Sequence, residues 1–283
     1  MPIRLTLPKT FGTLLAQRAH PLVGMWVCSG APVVAEICAG SGLDWLLIDS
    51  EHAPQSLESV QRQLQAIAAY PVTPVVRVPW NDPILIKQNL DLGAQNLLVP
   101  MINSRREAEQ AVSATRYPPE GIRGVGSALA RAGRWNRVDG YLTRSNDEHV
   151  NLICQIETAA AVENAFEIAS TPGVDGVFIG PSDLAASLGL IGRQGHPAVV
   201  AHVKRAIEAA RRAGTPIGIN AFDPVLANAY RDEGIDFILV GADVSILARG
   251  SEQLASTFIK SRGPASTSAA PPVDARSAGL RPD

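Results

Sequence analysis

Residues 150–185 read VNLICQIETAAAVENAFEIASTPGVDGVFIGPSDLA, and this stretch decides the fold. VNLICQIE (150–157) and GVFIG (176–180) are short, β-branched, nearly continuous apolar runs, the pattern of strands buried on both faces. The segment between them, 158–169, has the length of a helix. Strand, helix, strand is the unit of a parallel sheet. Outward from this unit the same character recurs in VGMWV (23–27), DWLLID (44–49), PVVRV (74–78), NLLVPM (96–101), PIGIN (216–220) and FILVG (237–241). Further helices are expected at 56–69, 83–91, 104–114, 197–213, 224–233 and 243–260. The first opens on a Ser cap and carries Leu57, Val60, Leu64 and Ile67 at helical spacing. The second starts at Pro83 after Asn81-Asp82. Eight strands alternating with helices predict an α/β chain, a single-domain (β/α)8 TIM barrel over residues 1–260. An open doubly wound sheet is the alternative. Residues 261–283, rich in Ser, Ala and Pro, are expected to be a disordered tail.

Composition narrows the function. The chain has 283 residues, 46% hydrophobic, and a net charge of −2. That near-neutral balance argues against a nucleic-acid partner. The apolar runs fall far short of the roughly 20 residues that span a bilayer, and MPIRLTLPKTFGTLL holds no apolar signal-peptide core. The cysteines, Cys28, Cys38 and Cys154, are odd in number and form no C-x-x-C, so neither a disulfide framework nor a thiolate metal site is expected. Free thiols fit a cytoplasmic location.

Ligands of α/β folds sit at the C-terminal ends of the strands. Glu157 and Asp183 follow adjacent strands there, and two close carboxylates repel unless a proton or a cation lies between them. With no histidine or cysteine beside them, they suit a hard divalent ion: Mg²⁺, Mn²⁺ or Co²⁺. Arg77 ends a run of valines; it suits a carboxylate or an enolate oxygen, or a salt bridge to a barrel-mouth acid. His52, after Asp49 and Glu51, can act as a base at neutral pH. Gln155 shares a strand face with Glu157 and is either a substrate contact or part of a packed barrel layer. The Gly180-Pro181-Ser182 turn points the N–H groups of Ser182 and Asp183 toward an anion. No lysine stands at a strand end, which argues against Schiff-base chemistry. The long connection from Tyr117 to Glu148, with GIRGVGSALARAGRWNR (121–137), reads as an anion-facing lid, an interface segment or a solvated loop.

At these residues the chain resembles the HpcH/HpaI aldolase family. The likeness is carried by GLDWLLIDSEHA (42–53), PVVRVPWNDPILIKQNLDLGAQNLLVPM (74–101), RYPPEGIRGVGSALARAGRWNR (116–137), QIET (155–158) and GVDGVFIGPSDLA (173–185). The resemblance implies divalent-metal-dependent, reversible cleavage of a 4-hydroxy-2-oxo acid to pyruvate and an aldehyde, with no organic cofactor. It implies Glu157 and Asp183 as metal ligands, His52 as base, Arg77 as the pyruvoyl and enolate contact, and Gln155, Ser182 and Asp183 as substrate contacts. It adds Asp91 as the acid that raises the basicity of the histidine. Asp91 lies toward the wrong end of its helix to serve His52 of the same chain, so a neighbouring subunit of a homohexamer is expected to supply it, with active sites near the interfaces. Asp49 is the in-chain competitor. Ser50 and Ser182 stand where the family more often has Gly and Ala. A sugar-derived keto acid is the rival substrate, and a non-catalytic barrel binding metal and keto acid is the rival of another class.

Overall fold

The structure is a computed structural model that describes residues 3–126 and 128–259. Eight strands run in chain order: β1 (Leu22–Val27), β2 (Trp45–Asp49), β3 (Thr73–Arg77), β4 (Asn96–Val99), β5 (Asn151–Ile156), β6 (Gly176–Ile179), β7 (Ile217–Asn220) and β8 (Phe237–Ala242). Each is parallel to its neighbours, and β8 pairs with β1 to close the barrel, which removes the open-sheet alternative.

The strand sequences are apolar on both faces because both faces are covered. Alternate positions such as Leu47, Val75 and Ile153 fill the barrel, whereas Ile48, Val76 and Cys154 pack outward among the helices. Phe11, on a short helix (Phe11–Gln17), plugs the N-terminal end of the barrel, with ring centroids 5.1 Å from Trp45 and 5.2 Å from Phe237. Gly218 is required beside this plug, since a Cβ there would come within 2.2 Å of the Phe237 ring.

Helix starts follow their caps. The Ser56 hydroxyl accepts from the Ser59 N–H in a capping box, and the Asp82 carboxylate accepts from the N–H groups of Ile84 and Leu85 ahead of Pro83. The helix expected at 158–169 divides at Asn164 into Ala159–Glu163 and Ala165–Ala169. Among the described residues five short helices lie outside the expected set: Phe11–Gln17, Pro32–Ala39, Tyr141–Arg144, the π-helix Ser145–His149 and Pro181–Ser187. They are four to eight residues long, too short for a helical period to stand out in sequence. Strand β4 stops at Val99, two residues early, because Pro100 has no N–H and Met101 turns left-handed at φ 57°.

The Tyr117–Glu148 connection is part packed and part exposed among its described residues. Tyr117, Ala130, Ala132, Val138 and Tyr141 form a small core of their own, and the buried Arg123 guanidinium lies over the Tyr117 ring. The compact barrel unit extends to Ile246. From Leu247, the remainder of the helix Asp243–Phe258 belongs to a second unit, with Leu247, Leu254 and Phe258 exposed. Among the described residues no helix is long and apolar enough to cross a membrane. The Ser/Ala/Pro-rich tail, 261–283, lies outside the described residues.

Candidate active site

The inward parity that places Leu47, Val75 and Ile153 in the barrel continues, two residues on, to Asp49, Arg77 and Gln155, and then to Glu157. Polar side chains thus form the top layer of an apolar barrel, and each of these four is at most 5% exposed.

Asp49 and Arg77 are register partners on β2 and β3. Arg77 Nε and Nη2 each donate to the Asp49 carboxylate at 2.8 Å, a bidentate pair, and Nη1 lies 2.8 Å from Glu51 Oε2. The guanidinium also stacks 4.4 Å from the Trp26 ring, whose Nε1 donates to Asn220 Oδ1 at 2.8 Å. A guanidinium has five N–H donors. Two go to Asp49 and at most one to Glu51, so each terminal nitrogen keeps at least one N–H for a ligand. The salt bridge anticipated for Arg77 therefore exists alongside its capacity to bind.

Glu157 is held from two sides. Its Oε1 accepts from the Met101 backbone N–H at 2.7 Å, and Gln155 Nε2 donates to its Oε2. The left-handed turn at Met101, costly for a non-glycine residue, aims that N–H into the site. Gly180 lies against the same carboxylate, where a Cβ would come within 2.7 Å of Oε2. Burial pushes the Glu157 carboxyl up to about 7, against the pull of the Met101 N–H, and the charges of Glu51 and Asp183 add to the rise. Burial raises the Glu51 carboxyl as well, with Arg77 opposing. Asp183 sits in the first turn of the helix Pro181–Ser187 and is exposed.

Four carboxylates, from Asp49, Glu51, Glu157 and Asp183, thus share one region with a single guanidinium. A hard divalent cation fits this oxygen-rich, over-acidic donor set. Buried Gln155 Oε1 has no partner within the protein, an acceptor left for a ligand or water. Among the described residues no group of three His, Cys, Asp or Glu side chains converges as a complete metal cage. Burial, then Asp49 and Asp243, push the nearby Cys28 thiol up to about 12, so it offers no thiolate.

His52 is exposed at the mouth, its Nε2 3.9 Å from Glu51 Oε1. Asp49 does not hold the imidazole: its carboxylate takes Arg77 and the backbone N–H groups of Glu51 and His52. Asp91 is apart from His52 in this chain and pairs with Arg123 at 2.9 Å. Ser182 Oγ accepts from Gln194 Nε2, at the edge of an open cleft lined also by Asn220, Phe222 and Asp223. Glu51, Met101, Trp26 and Asn220 escaped the sequence reading as site residues. Glu51 was legible, since an acid stands on each side of Ser50 just before His52; a backbone N–H and a cross-barrel indole leave no local pattern.

The comparisons with known proteins agree with this geometry. The model of the HpcH/HpaI aldolase/citrate lyase family matches residues 22–249. A 4-hydroxy-2-oxo-heptane-1,7-dioate aldolase of Salmonella arizonae is 53% identical over 239 residues, covering 84% of this chain and 90% of that protein. A crystal structure of an HpcH/HpaI aldolase/citrate lyase family protein from Burkholderia cenocepacia superposes with a TM-score of 0.83 at 42% identity, over 87% of this chain and 97% of that one. Macrophomate synthase superposes with a TM-score of 0.74 at 26% identity, over 90% and 93%. With the whole barrel matched and its top layer built from the residues that carry the likeness, this chain belongs to the HpcH/HpaI aldolase/citrate lyase family of aldolases.

Proposed function

We propose that this chain is a class II pyruvate aldolase that cleaves 4-hydroxy-2-oxoheptane-1,7-dioate reversibly to pyruvate and succinate semialdehyde. The observation that carries this reading is the Arg77 clamp beside Glu157 and Asp183, in a chain 53% identical to an aldolase named for that substrate. Glu157 and Asp183 would hold a divalent ion, Mg²⁺, Mn²⁺ or Co²⁺, which when bound polarises the 2-oxo group as a Lewis acid. The free N–H groups of Arg77 orient the pyruvoyl end. His52 takes the proton of the C4 hydroxyl, the C3–C4 bond breaks to release the aldehyde, and its electron pair becomes the enolate of pyruvate. Arg77 stabilises the enolate oxygen until C3 is protonated. Gln155 Oε1 and the backbone at Ser182 and Asp183 supply substrate contacts.

A homohexamer with shared active sites fits the same molecule. Ile122, Val125 and Leu129 are exposed on the connection that runs past Asp91, an apolar edge suited to a neighbouring subunit. Asp91 would then serve His52 of that neighbour. The half-buried and buried thiols Cys28, Cys38 and Cys154, unpaired in the fold, fit a cytoplasmic location.

One observation favours a second substrate class. The cleft beside Ser182, Gln194, Asn220 and Phe222 has no cationic side chain among its lining residues, and it includes Asp223. Amides, a hydroxyl and an aromatic ring suit a neutral, hydroxylated aldehyde, hence a sugar-derived 2-oxo acid. The test is pyruvate release, coupled to lactate dehydrogenase, from the heptanedioate and from sugar-derived 2-oxo acids, with and without a chelator. Release that a chelator abolishes and Mn²⁺ or Mg²⁺ restores supports the reading, and the preferred compound fixes the substrate. No release from any 2-oxo acid with metal present refutes it.

A further inference from the structure

The barrel end opposite the carboxylates holds a cavity of about 330 Å³ between the starts of β3 and β4, roofed by residues 6–9. It lies three residues below Arg77 on β3, roughly 10 Å along the strand. Its floor is apolar, from Leu64, Ile67 and Val72. Its charged lining is entirely cationic: Lys9, Arg131 and Arg134, with no Asp or Glu among the lining residues.

The two arginines are close to each other and poorly compensated. A Cβ on Gly93 would meet Arg131 Nη1 at 2.6 Å and Arg134 Nη1 at 2.9 Å, so both guanidinium groups crowd one point. Among the described residues neither they nor Lys9 has a carboxylate within salt-bridge distance. Arg131 Nη1 caps the C-terminal end of the helix Pro83–Asp91 through Leu92 O, at 2.9 Å. That bond gives Arg131 a structural role but leaves its other donors over. Arg134 donates only to Arg131 O, and Lys9 Nζ to the Gln17 amide. Burial pulls the Arg131 guanidinium down to about 10, with the Arg134 charge adding to it. The backbone that presents Arg134 is itself unfavourable: Arg134, Trp135 and Asn136 are three successive left-handed residues without a glycine, at φ 51°, 53° and 61°.

We propose that this cavity binds a small organic anion, an oxyanion head on an apolar body, at a site separate from the catalytic carboxylates. The forks of Arg131 and Arg134 and the Lys9 ammonium receive the head, and the Leu64, Ile67 and Val72 side chains receive the body. A carboxylate and a phosphate ester share this chemistry.

The test is isothermal titration of the assembled full-length enzyme with benzoate, with phenyl phosphate, and with benzyl alcohol as the uncharged control. The expected result is saturable binding of at least one anion and none of the alcohol, the tighter anion identifying the head group. Arg134→Gln and Lys9→Gln should each weaken that binding about tenfold, the loss of one charge-assisted contact. Arg77→Lys should leave it unchanged, which separates this site from the catalytic one. Absence of binding by both anions overturns the proposal. So does equal affinity in the Arg134→Gln protein, or in Lys9→Gln if the Arg134 variant does not fold.

Discussion

Replacing Glu157 with Gln separates the stability of the metal-free protein from its chemistry. The carboxyl ionises near 4.5 in the unfolded chain and at about 7 when folded, because burial penalises its charge. Below both values the group is protonated in both states and contributes no difference. Between them the folded state holds the proton more tightly, so stability falls as pH rises, and the penalty is complete above about 7. At about 1.4 kcal/mol for each tenfold change in proton affinity, the penalty is about 3 kcal/mol. Gln removes the charge. The Met101 N–H can still donate to the new amide oxygen, and Gln155 can turn its amide so that its unpartnered Oε1 accepts from the new N–H. Rearranging these bonds costs about 1 kcal/mol, leaving a net gain of about 2 kcal/mol for the variant at alkaline pH. Denaturant unfolding of chelator-treated protein at about pH 5 and about pH 8 measures it. The variant should be the more stable only at the higher pH, and should lose metal-dependent pyruvate release. Equal or lower stability of Glu157→Gln at about pH 8 would refute the account of Glu157 as a charge confined for a cation.

Three other outcomes are expected. Gly180→Ala drives a Cβ to within 2.7 Å of the Glu157 carboxylate, so the Kd for Mn²⁺ should rise at least about tenfold, read by titrating activity with metal. Arg77→Lys keeps the charge but cannot reproduce the bidentate contact with Asp49 or the free N–H on each side; kcat/KM should fall about 100-fold or more, with the melting temperature showing whether the fold survives. Phe11→Ala opens the plug between Trp45 and Phe237 and should cost about 3–5 kcal/mol in denaturant unfolding, while kcat at a permissive temperature stays within about twofold of the parent, since the plug is at the far end of the barrel.

Some of the site is readable because it depends on strand parity. Once NLICQIE is taken as a buried strand, Gln155 and Glu157 must share the face of Ile153, and the same reasoning carries Val75 to Arg77 and Leu47 to Asp49. The side-chain period of two is a property of the backbone and needs no tertiary information. Helix caps at Ser56 and Asp82 were legible for a similar reason, since the capping bond spans two or three residues.

By itself, then, the chain determined its eight strands, their closure into a barrel and the acids, arginine and histidine at the strand ends. These follow from local periodicity and from the number of strand–helix units. Only the tertiary structure decided that Asp49 and Glu51 both grip Arg77, that Trp26 and Asn220 support it from β1 and β7, and that Met101 turns left-handed to reach Glu157. It also decided that Asp91 meets Arg123, 32 residues along the chain. Such pairings join residues from distant segments, and their geometry is set by the tilt and closure of the barrel, which no local pattern of side chains encodes.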